Sequence, residues 1–251
     1  MKLISIISVV KNGGSYLEKT INKIINQKNI DFEYIVIDGG STDNSIDIIK
    51  KYQSRLSYWS SEKDEGISDA FNKGIKHSKG KFINFQGDGD GFLNEYSIFN
   101  LFKDVDTNYY DLICGRINRI NLDDSLIFTS PNISNFKKRN LLFRMSLPHQ
   151  GLFTKRELFE QYGYFDLKLK YSMDYEHLMR MYHHFPKLYF KNTVVANFRK
   201  DGRGTGKEKE ILLEYHYSRI KNKVSNKFDI YFIYLWSLFK LFIKKIIRRT
   251  E

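Results

Sequence analysis

The sequence predicts an α/β protein: a mostly parallel sheet flanked by helices, followed by an amphipathic helical tail. Three observations carry that expectation. Through residues 1–95, apolar strand-like runs alternate with helical periodicity across short links, the pattern of a parallel α/β sheet. Two of these strands run directly into aspartates, Asp38 and Asp88. Hydrophobic residues make up 41% and aromatics 16% of the 251 residues, with only 3 prolines, which is enough apolar material for a substantial core.

The elements follow in order. Leu3 to Val10 reads as a buried strand, then Lys11-Asn12-Gly13-Gly14 turns the chain. Ser15 with Glu18 three residues on has the spacing of a capping box, and Leu17, Ile21, Ile24 and Ile25 form the apolar stripe of the helix behind it. Phe32 to Ile37 is a second strand, ending in Asp38-Gly39-Gly40-Ser41-Thr42-Asp43. A helix from Ser45 to Tyr52, a short strand over Leu56–Ser60, an acidic loop over 62–66 and a helix from Ser68 to Lys79 lead into Phe82-Ile83-Asn84-Phe85. Residues 1–210 are expected as one folded domain with halves 1–95 and 96–210, and 211–251 as a basic helical tail. In parallel α/β sheets ligands bind beyond the carboxyl ends of the strands, so Asp38 and the Asp88/Asp90 pair belong on one edge.

Composition narrows the classes of function. The single cysteine, Cys114, excludes a disulfide framework and an internal cysteine metal cluster, which fits a reducing compartment. The start, Met1-Lys2-Leu3-Ile4-Ser5, reads as the approach to a strand rather than a signal peptide. A formal charge of +12, with much of the excess toward the C-terminal end, asks for an anionic partner: nucleic acid, an acidic membrane face or a phosphorylated substrate.

In Gly87-Asp88-Gly89-Asp90-Gly91, two carboxylates stand close together with nothing in the adjacent sequence to neutralise them. Such a pair repels unless a cation sits beside it. Hard oxygen ligands suit Mg²⁺ or Mn²⁺, which take one or two protein carboxylates and complete the shell with water and phosphate. Taken alone, the same run also describes a solvated turn.

Ser8-Val9-Val10-Lys11-Asn12, Ile37 to Ser45, Ser61 to Ile75 and the Gly87–Asp90 run, in that order, resemble glycosyltransferase family 2, and within it the small bacterial enzymes that build surface polysaccharides. The resemblance is strong over 1–95 and moderate over 145–205. It implies a GT-A fold, a Rossmann-like nucleotide-binding sheet, and inverting transfer from a nucleotide-sugar. It also implies that Val9, Asn12, Asp38, Asp64 and Asp88 lie at the donor, that Asp38 contacts the nucleotide base, and that Asp90, with Asp88 beside it, holds Mn²⁺ or Mg²⁺. Two positions depart from the family pattern: Gly39 stands where a second acid often follows the base-contacting Asp, and Gly89 separates two acids that are often adjacent.

Inverting transfer needs a base that takes the proton of the attacking hydroxyl. The family places an acid at the start of a helix for this, and Asp174, behind the potential cap Ser172, matches it. A helix N-terminus helps to keep such a group ionised. Glu176 is the alternative, and plain helix capping is the remaining reading for both. His149, in Leu147-Pro148-His149-Gln150-Gly151, either orients the acceptor or diphosphate or is a structural hydrogen-bonder. Arg199 to Lys207 is a glycine-rich basic loop that reads as a lid over a diphosphate, with Arg203 its best candidate, or as plain mobile surface.

Ile230 to Ile243 is apolar except for Ser237 and Lys240, short of the ~20 residues of a membrane span. Ser237, Lys240, Lys244 and Arg248 fall on one polar stripe, with Leu235, Leu238, Phe239, Phe242 and Ile246 facing away. This reads as an interfacial helix on anionic lipid, and therefore as a cytoplasmic enzyme on the inner face of the plasma membrane acting on a lipid-linked or oligosaccharide acceptor. The alternative is a helix packed on its own domain or on a second subunit. The processive synthases' Gln-x-x-Arg-Trp motif is absent, which favours single-sugar addition. A nucleotidyltransferase would want a richer phosphate loop than Lys11–Gly14. A nucleic-acid binder would want basic and aromatic residues interleaved on the folded domain rather than in the tail, so no nucleic-acid partner is expected.

Overall fold

The computed structural model describes residues 2–202 and 204–250, without the side chains of 248–250. Four parallel strands open the chain: β1 (Ile4–Val10), β2 (Phe32–Asp38), β3 (Tyr58–Ser61) and β4 (Phe82–Gly87), in spatial order β3-β2-β1-β4. They are joined by α1 (Gly14–Ile25), α2 (Ser45–Tyr52) and α3 (Ile67–His77). Every residue of β1 is buried because both faces of the sheet are covered. Ile4, Ile6 and Val10 pack with Leu17, Ile21 and Ile24 of α1, whereas Ile7 and Val9 pack with Phe71 and Ile75 of α3. That two-sided burial is why β1 reads as an unbroken apolar run rather than an alternation.

The second half continues the same sheet. Its elements are β5 (Gly91–Phe92), α4 (Ser97–Phe102), β6 (Leu112–Ile120), β7 (Leu126–Thr129), β8 (Leu152–Lys155), α5 (Arg156–Tyr162), α6 (Met173–Arg180), β9 (Leu188–Arg199), α7 (Glu208–Lys221) and α8 (Lys227–Thr250). The full order is β3-β2-β1-β4-β8-β6-β9-β5, with β7 on β6. Here the expectation of a mostly parallel sheet gives way to a mixed one. β8 runs antiparallel to β4 and β6, β5 antiparallel to β9 and β7 antiparallel to β6, while β6 and β9 are parallel.

Three local expectations are corrected. The helix after β1 starts at Gly14, and no side chain of its own caps it. Ser45 Oγ, from the start of α2, accepts from the backbone N–H of Gly13 and Gly14 instead. Glu18 turns away to Lys51 and the Tyr52 hydroxyl. The tail boundary at 210/211 falls inside α7, which packs its Tyr215 ring on Tyr175 of α6 at 4.0 Å. In α8, Ser237 is buried with Ile230 and Ile233, while Lys240 and Lys244 of the expected polar stripe stay exposed, so that stripe docks only at its N-terminal end.

Candidate active site

The parallel register aligns the carboxyl ends of the first four strands. Val10 pairs with Asp38, Asp38 with Ser61 and Val9 with Gly87, so the loops at 11–13, 39–44, 62–66 and 88–90 share one edge. Sequence separation is erased by topology there.

Asp38 is fully buried, and its carboxylate is held from within. It accepts from the backbone N–H of Gly40 (3.2 Å) and Ser41 (3.0 Å), from Ser61 Oγ (2.6 Å) and from Ser41 Oγ. Asp38 therefore shapes the loop behind β2, with three of its four bonds on Oδ2 and one on Oδ1. Val9 likewise points into the core under α3. Asn12, at φ +57°, clasps the neighbouring loop: its N–H donates to Ser41 Oγ, and its Oδ1 accepts from Thr42 N–H. Asp64 comes to the edge from the loop after β3. Its Oδ1 accepts from Gly66 N–H at 2.9 Å, and its Oδ2 occupies the space that a β-carbon at Gly39 would take. A carboxylate thus stands beside the end of β2 although position 39 has none.

Asp90 is buried, and burial pushes its carboxyl up to about 6. Three donors work against that by stabilising the ionised form: the backbone N–H of Arg199 (3.0 Å) and Gly87 (3.2 Å), and Gln150 Nε2 (3.0 Å). Burial also raises the half-buried Asp88, with the charges of Asp201 and Asp43 adding to it and Arg199 opposing. The Arg199 guanidinium lies over Gly89, where a β-carbon would come within 2.6 Å of Nη1. It stacks on the Tyr16 ring at 3.5 Å and pairs with Asp201. Arg199 is a resident cation at the acidic pair that residue-by-residue reading missed, because the choice fell on Arg203. Arg203 lies outside the described residues.

Do these residues fit a divalent cation? Among the described residues, no cluster of three or more His, Cys, Asp or Glu side chains forms a protein-only cage. Asp88 and Asp90 nevertheless lie at one corner, where burial raises both carboxyls and the Asp88 charge adds to that on Asp90. A hard cation bound through one or two of them, with phosphate and water completing the shell, fits that donor set.

The second half brings the remaining groups to the same edge. Gln150 is fixed by its carbonyl, which accepts from Asn84 Nδ2 (3.1 Å) and Gln86 Nε2 (3.0 Å) of β4, while its side chain reaches Asp90. Its neighbour His149 stacks flat on Phe85 and against the edge of Phe71, with Nδ1 3.5 Å from Asp174 Oδ2. Burial lowers the imidazole's affinity for a proton, opposed by the Asp174 charge. One tight turn, 149–151, therefore touches both the acidic pair and the acid at the start of α6. Glu176 is excluded from this arrangement. It is fully buried on another side of α6, bonded by Arg180, Lys221 and Asn222, so the alternative base is a structural anion. A cavity of about 540 Å³ lies away from the strand edge, between α7 and the 168–169 segment.

The fold is thus a mixed α/β sheet that gathers an acidic pair and a helix-start acid at one edge. The family profile described as "Glycosyl transferase family 2" matches residues 5–169, and the chain belongs to that family. An uncharacterized glycosyltransferase of Rickettsia typhi is 28% identical over 222 residues, 85% of this chain and 69% of that protein. A PGL/p-HBAD biosynthesis glycosyltransferase of Mycobacterium bovis is 27% identical over 84% of this chain and 82% of its own length. The poly(ribitol-phosphate) β-N-acetylglucosaminyltransferase TarP of Staphylococcus aureus is 36% identical, over 46% of this chain and 37% of TarP.

Among solved structures, S. aureus TarS in complex with UDP-GlcNAc superposes with a TM-score of 0.66 at 18% identity, over 86% of this chain and 66% of that one. The mannosyltransferase PcManGT of Pyrobaculum calidifontis, in complex with GDP-Man and Mn²⁺, also gives 0.66, at 15% identity over 90% and 65%. The chain spans about two thirds of the length of these structures. It is a glycosyltransferase with the GT-A fold.

Proposed function

We propose that this enzyme moves one sugar, with inversion, from a nucleoside diphosphate-sugar to a lipid-linked or oligosaccharide acceptor of a bacterial surface polysaccharide. The observation that carries the reading is the 149–151 turn, which ties Asp90 and Asp174 to one short segment. The acceptor hydroxyl attacks the anomeric carbon, the carbon–oxygen bond to the diphosphate breaks, and Asp174 takes the hydroxyl proton. His149 Nδ1 lies 3.5 Å from the same carboxylate and orients it. Asp64 contacts the donor at the end of β2. Asp90, with Asp88, would hold Mn²⁺ or Mg²⁺, which when bound neutralises charge on the diphosphate. A UDP-sugar is favoured because TarS is known with UDP-GlcNAc, whereas PcManGT takes GDP-Man. The enzyme works at the inner face of the plasma membrane, docked through α8.

Thermal unfolding with UDP, GDP, dTDP and CMP, each with and without Mn²⁺, tests this on the wild type and Asp90→Ala. A nucleotide at about a hundredfold its Kd adds roughly 2.7 kcal/mol, a shift on the order of 5–10 °C for a chain of this size. The expected result is a Mn²⁺-dependent shift with UDP that Asp90→Ala abolishes. A response to none of the four removes the donor assignment.

A further inference from the structure

We propose that Glu214 of α7 is a positioning residue for transfer: it fixes the backbone of the segment that delivers Asp174 into the site. The inference rests on Asp174 being the group that accepts the hydroxyl proton.

A single carboxylate collects four donors from three consecutive residues. Glu214 Oε1 accepts from Lys170 N–H (2.8 Å), and Oε2 accepts from Tyr171 N–H (3.0 Å), Ser172 N–H (2.8 Å) and Ser172 Oγ (2.7 Å). Amides at the entrance of a helix have no partner within it, and a side chain of the helix's own cap usually supplies one. Here the cap residue Ser172 makes no such bond, since its hydroxyl donates to Glu214. The start of α6 is therefore set from outside, by a different helix. Charge-assisted bonds of this kind are roughly twice as strong as neutral ones, and Asp174 lies two residues beyond the last of them.

The grip extends along one face of α7. Three and seven residues after Glu214, Tyr217 Oη (3.5 Å) and Lys221 Nζ (2.8 Å) hold Asp166, so α7 pins both ends of the 166–172 segment. From the opposite side, Ser68 Oγ donates to the Leu169 carbonyl. The docking of α7 does not depend on Glu214, because the Tyr215–Tyr175 stack and the bond from Arg219 Nε to Tyr175 Oη hold the two helices together independently. Loss of Glu214 should therefore loosen the entry to α6 without detaching α7. Displacing a reacting group by about 1 Å can cost on the order of a hundredfold in rate.

The test compares Glu214→Gln, Glu214→Ala and Asp174→Asn in the full chain. UDP release from UDP-N-acetylglucosamine with Mn²⁺ reports turnover, amide hydrogen exchange reports the 170–172 backbone, and the UDP-induced thermal shift reports the donor site. Expected for Glu214→Ala are faster exchange at 170–172, a wild-type UDP shift and donor KM, and a kcat lowered ten- to a hundredfold. Glu214→Gln, which keeps one acceptor oxygen, should fall between Ala and wild type. If Asp174→Asn turns over like wild type, the role of Asp174 falls, and this inference with it. If Asp174→Asn is inactive while both Glu214 variants keep wild-type kcat, only the positioning role of Glu214 is overturned. Loss of the UDP shift in both Glu214 variants would mark a general structural role and overturn it as well.

Discussion

At the end of β2, Gly39 leaves a gap that the tip of the Asp64 side chain fills from the next loop. The obstructing atom is the far end of a flexible side chain, so Gly39→Ala should displace Asp64 at little cost in stability. The expected outcome is a melting temperature near that of wild type and a weakened UDP shift, matching Asp64→Ala. A Gly39→Ala protein that binds UDP normally while Asp64→Ala does not would show that Asp64 relocates without loss. A second single-residue prediction concerns His177, buried in α6 and stacked on Phe159. Burial, with the Arg180 charge adding to it, pushes its imidazole from an ordinary 6.5 down to about 3. The folded state refuses a proton that the unfolded chain accepts, so this stabilising contribution is present above pH 6.5. It is lost as pH falls toward 3, at up to about 1.4 kcal/mol per pH unit. Urea midpoints against pH should fall less steeply below 6.5 in His177→Phe than in wild type; equal slopes would refute the assignment.

Among the elements, those whose cause is local were legible. The buried strands β1, β2 and β4 announce themselves as apolar runs, and α2 lies where Ser45 and Tyr52 bound it. What failed depends on distant partners. The capping box at Ser15/Glu18 has the right spacing, yet a serine about 30 residues away took its place. Asp38 sits where a site residue should, and its bonds to Ser41 and Ser61 appear only in the fold. Gln150 and Arg199 stand inside runs that the sequence singles out, but their roles, like that of Glu214, depend on contacts 42 to 109 residues away. Glu176 and Asp174 are two residues apart in one helix, and only packing separates their roles. Glu176 neutralises Arg180 and Lys221 with none of its surface exposed. Removing one partner from a buried pair leaves uncompensated charge, at about 3–5 kcal/mol. Glu176→Gln should therefore lose a large part of the protein's stability in urea titration while keeping its Mn²⁺-dependent UDP shift below the transition. A stable variant that has lost turnover would instead return Glu176 to the chemistry.

On the scale of the whole molecule, the +12 charge and the outward face of α8 call for a common explanation. Ile230, Ile233 and Ser237 dock the helix, while Phe228, Phe232, Trp236, Phe239 and Phe242 stand exposed along another side, Phe228 at 80%. Twenty-four helical residues extend about 36 Å, and Lys240, Lys244 and Lys245 lie beside the far end of this stripe. No helix among the described residues is long and apolar enough to cross a membrane. An apolar stripe beside lysines suits the headgroup region of an anionic leaflet, where each basic residue adds about 1 kcal/mol. Because α8 packs on α7 and α7 grips the entry to α6, a surface bound by α8 would face an enzyme whose acceptor side is already tethered to it. Co-sedimentation with phosphatidylglycerol-containing vesicles should pellet the wild type at low salt and release part of it at high salt. The Phe232→Ser/Trp236→Ser/Phe239→Ser variant should stay in the supernatant and keep its UDP shift. Should the wild type ignore vesicles but sediment as a dimer that the triple variant dissolves, the stripe is an interface between two copies, and the attraction of the basic end must be sought in the acceptor itself.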